Sequence, residues 1–183
     1  MGFREHIVTQ INTIPKEAYW LFVVVFCSGI IWILGLYGLK KGFRKLGMLF
    51  LAEYVALLSC FAIIFRETRL ERKYDIMPFW SYDKPDLAND NMLNVLMFVP
   101  VGFLASSLIK KYAVAKTIAL CLFISASFEV LQLVFRRGHC DIDDIINNTF
   151  GGMIGCLLFL GCMWVCVIYR RLSLRIRKQS CIG

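Results

Sequence analysis

The sequence predicts an all-α protein: a polytopic membrane bundle of about five transmembrane helices, with its N-terminus outside and its C-terminus in the cytoplasm. Three observations point there. The 183 residues are 58% hydrophobic and only 19% charged, where a soluble domain has about 45–50% and 25%. The apolar residues stand in long blocks and are not spread along helix or strand faces, and the charges lie between the blocks. This excludes a soluble enzyme, a disordered tail or a nucleic-acid module as the default reading. The net charge of +8 is therefore read loop by loop as a topology signal and not as a nucleic-acid footprint.

A spanning helix needs about 20 mainly apolar residues. Five segments meet or approach that length: residues 18–39, 46–65, 93–109, 114–135 and 145–168. The third is short and holds Pro100 and Gly102, so it reads as a tilted or kinked span. Residues 1–17 read as an N-terminal interfacial segment, with Pro15 ending a short helix. The first block carries Glu5 and Glu17 on its N-terminal side, and no small-residue cleavage site follows it, so it reads as a retained helix and not a signal peptide. Residues 18–169 form the transmembrane domain and 170–183 a basic cytoplasmic tail drawn to anionic lipid. Tyr19, Trp20, Tyr37 and Tyr169 fit an aromatic belt at span ends. Six of the eight cysteines (27, 60, 121, 156, 162 and 166) lie in apolar runs, where they act as small hydrophobes.

Loop charges choose the orientation. The short segments following the first, third and fifth spans carry twelve Lys and Arg and no acid. The other set, residues 1–17, 66–92 and 136–144, is longer, with nine basic residues and eleven of the thirteen acids. The positive-inside rule assigns the first set to the cytoplasm.

An ionisable side chain inside a bilayer marks a functional site by default. Two carboxylates fall within spans, Glu53 and Glu129. Glu53 lies away from the other polar groups and reads as paired within the bundle or protonated. Around Glu129 the orientation gathers more polar groups at one depth: Arg66 ending the second span, Asn94 opening the third, and Gln132 one turn beyond Glu129. The fifth span opens with Asp141, Asp143 and Asp144 and continues through Asn147, Asn148 and Thr149. Asp141, Asp144, Asn148, Gly151 and Gly155 form one stripe of near-helical period. Gly151 and Gly155 form a small-xxx-small pair that admits a neighbouring helix, expected to be the fourth span with Glu129 and Gln132. Against this stands a plainer reading, in which Asp141 or Asp143 caps the helix. Glu129 near these aspartates needs relief: a shifted pKa on one carboxyl, counter-charge from Arg66, Arg136 or Arg137, or a divalent cation on Asp141, Asp143 and Asp144 with His139 adding a nitrogen. The acidic, aromatic segment 74–91 reads as a rim, with Phe79, Trp80 and Tyr82 touching lipid or ligand.

These pieces, in this order, resemble the VanZ-like family of small bacterial membrane proteins. They are Arg66, "IMPFWSY" (76–82), "NVLMFVPVGFL" (94–104), "FEVLQ" (128–132) and "RGHCDIDDIINNTFGGMIG" (137–155), together covering about residues 60–160. The resemblance maps the family's recurring polar positions onto Arg66, Asn94, Glu129, Gln132, Arg137, Asp141, Asp144, Asn148 and Thr149. It implies an envelope-facing role, the family being named for an association with resistance to teicoplanin, a lipoglycopeptide. It supplies no reaction.

The function expected is therefore a membrane protein whose outward-facing polar site binds an amphiphilic anionic ligand. Candidate ligands are membrane lipids, a lipid-linked cell-wall precursor or a lipoglycopeptide; no nucleic acid is expected. Arg66 and Arg137 would hold the anion, while Glu129 and Asp144 would orient them or accept donors. The alternative is an intramembrane metal-assisted hydrolase or transferase, with Glu129, His139 or Asp144 catalytic and a divalent cation as cofactor. No activated Ser or Cys nucleophile stands at motif spacing.

Overall fold

The computed structural model describes residues 43–180, apart from 67, 69, 72, 73, 85, 86, 110 and 111, together with the isolated Glu5. The interfacial segment expected at 1–17 (save Glu5) and the first expected span, 18–39, lie outside the described residues. The described chain is helical: α1 is Phe43–Ser59, α2 Ala88–Leu108, α3 Ala113–Phe135 and α4 Ile142–Ser180. Two-residue strands, β1 (Tyr74–Asp75) and β2 (Cys140–Asp141), pair in parallel. Among the described residues, four helices are long and apolar enough to cross a membrane. This agrees with a helical membrane bundle.

α1 ends in a π-helical turn, Cys60–Ile64, closed by the Phe65 N–H donating to the Cys60 carbonyl at 3.0 Å. The wide turn closes the α1 span one residue before Arg66. α2 corrects the short span expected at 93–109: it begins at Ala88 and runs for 21 residues. At 1.5 Å per residue that is about 32 Å, enough to cross without thinning the bilayer. The added turn, 88–92, is polar, but Asn91 finds partners in Ser81 of the loop and Asn147 of α4, so the helix extends through it. Pro100 sits inside it, as membrane helices permit where neighbours cover the freed carbonyl. α4 also outruns its expected 145–168. No Gly or Pro interrupts residues 162–180, so the basic segment continues the helix as far as Ser180.

The glycine pair does admit a neighbour, but that neighbour is α2 and not α3. A Cβ on Gly151 would stand 2.0 Å from the Val95 carbonyl oxygen, and one on Gly155 2.0 Å from that of Val99. From the other side, a Cβ on Gly102 would lie 1.9 Å from the Gly152 carbonyl oxygen. Glycine on both helices lets backbone meet backbone, where dispersion and not water exclusion drives packing. The reason is Gly102, which besides weakening its span opens α2 to the backbone of α4. α3 meets α4 along the adjoining line, at Cys121 beside Gly152 and at Ser125 beside Asn148.

α1 completes the bundle over a core of Leu58, Phe98, Val101, Cys121 and Phe128. Phe98 and Phe128 meet edge to face at 6.4 Å. Polar contacts also tie helices together within the bundle: the Tyr54 hydroxyl donates to the Met97 carbonyl at 3.0 Å, and the Ser106 and Thr117 hydroxyls are hydrogen-bonded at 3.1 Å. Helix alternation brings the end of α1, the start of α2, the end of α3 and the start of α4 to one end of the bundle.

Candidate functional site: the polar end of the bundle

Glu129 lies on the inner face of α3 and is buried. Its Oε2 accepts the Asp141 backbone N–H at 2.8 Å, which fixes the start of α4 against α3. Asp144, Arg66 and Asp141 all lie within electrostatic range of it. One turn on, Gln132 is 2% exposed, and its Oε1 has no hydrogen-bond partner among the described residues. Its backbone carbonyl accepts the N–H groups of Arg136 and Arg137, because Arg136 takes a left-handed conformation (φ 55°) that ends α3.

Gly138 follows at φ +87°, a conformation that favours glycine. Space demands it as well. A Cβ there would stand 2.9 Å from Cδ and Nη1 of Arg66 and 3.2 Å from Gln132 Oε1. Arg66 and Gln132 therefore lie side by side against Gly138. The Arg66 side chain is 39% exposed, and its Nη2 reaches Asp144 only at 3.9 Å. Asp144 is held more firmly by α2, whose Asn94 amide donates to Oδ1 at 2.6 Å. Arg66, Asn94, Glu129, Gln132 and Asp144 thus meet from three helices and a loop.

The remaining predicted residues go elsewhere. Arg137 turns towards α1: its Nη1 donates to the Ile64 and Arg66 carbonyls, and its backbone bridges Thr68. It straps the α1 exit, and its proximity to Arg66 is through backbone. Asn148 donates to Ser125 Oγ at 2.8 Å within the α3–α4 contact. Thr149 Oγ1 is buried without a hydrogen-bond partner among the described residues. His139 Nε2 meets Asp75 Oδ2 at 2.8 Å, so it fastens β2 to β1. Its ring also leans on Trp80, centroids 5.7 Å apart.

The three aspartates divide their tasks. Asp141 precedes α4, and its Oδ1 accepts the Asp143 N–H at 2.9 Å, the bond of a helix cap. The same oxygen accepts from Trp80 Nε1 at 2.8 Å. Asp143, wholly buried, faces the loop: it accepts the Phe79 N–H, the Ser81 N–H at 3.0 Å and the Ser81 hydroxyl at 2.6 Å. Asp144 alone turns to Arg66 and Asn94. Among the described residues no three His, Cys, Asp or Glu side chains are grouped so as to hold a metal ion.

Sequence reasoning missed this loop clamp. Ser81, Asn91, Asn147 and Tyr82 complete it: Asn91 donates to Ser81, Asn147 to Asn91, and the Tyr82 hydroxyl to Asn147. The available signal was the spacing of Asp143 and Asn147, one turn apart on a second face of α4. Burial and then the Asp143 charge raise the Tyr82 hydroxyl above its ordinary pKa, keeping it a donor. Cys140 is raised too, first by burial and then by the charges of Glu129, Asp141 and Asp144. A thiol so placed is a poor nucleophile.

These features define a helical membrane protein with carboxylates, amides and one half-exposed arginine gathered at one end of its spans. The chain belongs to the VanZ/LLP1 family, whose profile matches residues 18–169. It is 38% identical over 97 residues to "Protein VanZ" of Enterococcus faecium, a match covering 48% of this chain and 60% of that relative. No solved structure matches it.

Proposed function

We propose that this chain is a multi-pass protein of the bacterial cell membrane that binds an amphiphile's headgroup at the outer face. Residues 18–39 supply a fifth span, the N-terminus is outside, and the basic continuation of α4 enters the cytoplasm, as the loop charges favour. The carrying observation is two groups side by side: the half-exposed Arg66 guanidinium, held only by a long 3.9 Å pairing to Asp144, and the buried Gln132 Oε1, which has no hydrogen-bond partner among the described residues.

Arg66 is suited to a phosphate or carboxylate, which its planar fork can bind bidentately. Gln132 Oε1 can take only a donor, and Glu129 and Asp144 beside it favour an amine or hydroxyl. The ligand therefore carries an anionic oxygen and a hydrogen-bond donor within one headgroup. A phospholipid, a lipid-linked wall precursor and a lipoglycopeptide all satisfy this. Membership of the VanZ/LLP1 family supports a contribution to tolerance of teicoplanin-like compounds.

The test is to purify the chain and its Arg66→Gln, Glu129→Gln and Asp144→Asn variants. For each, thermal midpoint, lipid retained after delipidating washes, and teicoplanin susceptibility of the expressing cells are measured. The reading expects folded variants that lose retained lipid and any protection together. If the variants fail to fold, the polar cluster is structural glue. If they fold and keep both properties, the headgroup does not sit there.

A further inference from the structure

Residues 74–84 present apolar side chains to the surroundings in a fixed shape. Ile76, Met77, Phe79 and Tyr82 are exposed, Phe79 by 59%. Phe79 is held at φ +66°, where a non-glycine residue is rarely found. Its N–H donates to Asp143, its ring meets Tyr82 edge to face at 5.6 Å, and the Tyr82 hydroxyl bonds Asn147. Lys84 Nζ lies 3.8 Å from the centre of the Trp80 ring. A buried carboxylate accepting three loop donors is an expensive way to shape a loop unless the exposed face is used.

Three features say what covers it. The loop joins the ends of two membrane helices and is clamped to the first turn of a third, which sets it beside the bilayer boundary. The flanking residues Ile64 and Met92 are exposed and apolar, so the patch continues the surface the helices offer to acyl chains. Its composition also suits an interface: apolar tips below, with a tyrosine hydroxyl and a lysine beside them. We infer that this loop is a preformed foot whose Met77 and Phe79 enter the headgroup–acyl boundary of the bilayer. The inference does not depend on the headgroup site described above.

The test places a photoreactive benzoylphenylalanine at Met77 or at Phe79 in the full chain, reconstituted in phosphatidylethanolamine–phosphatidylglycerol vesicles. After illumination, adducts are weighed by mass spectrometry. Val130, exposed on α3, serves as the acyl-chain benchmark. Lipid adducts at both loop positions within about threefold of Val130 are expected. Yields below about a tenth of the benchmark at both would overturn the inference, as would crosslinks mainly to a second copy of the chain. Met77 is the safer site, since Phe79 is the residue at positive φ. A third variant, Asp143→Ala, unfastens the loop; the Met77 adduct yield should then fall at least fivefold, and an unchanged yield removes the claim that the foot is preformed.

Discussion

α4 is two helices in one. Residues 142–156 and 157–172 are both rich in apolar residues, and each contains glycine and cysteine. In the first half Gly151, Gly152, Gly155 and Cys156 are buried against α2 and α3. In the second half Leu157, Leu158, Val165 and Cys162 are exposed, and among the described residues Gly161 has nothing within 4 Å of where a Cβ would stand. Composition separates them too: Asp143, Asp144, Asn147, Asn148 and Thr149 all fall in the first half, and the second has no charged or amide residue before Arg170. In lipid, apolar surface gains nothing by being covered, so what marks a helix contact is backbone approach and polar pairing.

The comparison breaks most sharply with one substitution made in each half. Gly151→Leu forces its side chain into the Val95 carbonyl and is expected to cost about 3 kcal/mol or more. Gly161→Leu meets none of the described residues and should stay within about 0.5 kcal/mol of the parent. Melting in detergent, followed by size-exclusion profile, reads both. Equal losses would mean that the second half has a neighbour as tight as α2.

Next in size is Asp143→Ala. It leaves the Phe79 and Ser81 amides without their acceptor, at about 1–3 kcal/mol for each group stranded away from water. Hydrogen exchange should accelerate over 79–82 and leave α2 unchanged. If α2 opens as well, the clamp supports the bundle and not only the loop.

A smaller effect probes the seam's polar end. The carboxylate charges beside Cys140 raise its thiol, so removing one lowers it and increases the thiolate present at a given pH. Alkylation of Cys140 near pH 8, measured by peptide mass spectrometry, should therefore be about twofold faster in Glu129→Gln. A slower reaction would contradict the arrangement. Smallest of all is Tyr54→Phe, which removes one interhelical hydrogen bond of about 0.6 kcal/mol.

The helices and their polar end were legible because lipid punishes stray charge: Arg66, Asn94, Glu129 and Asp144 stand out against apolar blocks, and the structure brings them together. Their partners were less legible. Gly102 marked the second half of a glycine contact, but one sequence cannot say which helix faces which. Arg137 and His139 carry the charges a ligand site needs, yet short local geometry after α3 turns them onto α1 carbonyls and Asp75. Asp143 stands off the polar stripe and reads in the sequence only as a helix cap or a metal candidate. Its task depends on Phe79 and Ser81, more than sixty residues earlier, a separation no spacing rule bridges.

The most direct test of whether these dispersed polar side chains meet is a double-mutant cycle between Asn94 on α2 and Asp144 on α4. Unfolding free energies are measured for Asn94→Ala, Asp144→Ala and the pair. A 2.6 Å contact predicts that the double variant loses less than the two single losses combined, with a coupling of about 0.6–1.7 kcal/mol. Strictly additive losses would place the two side chains apart and remove the shared polar site.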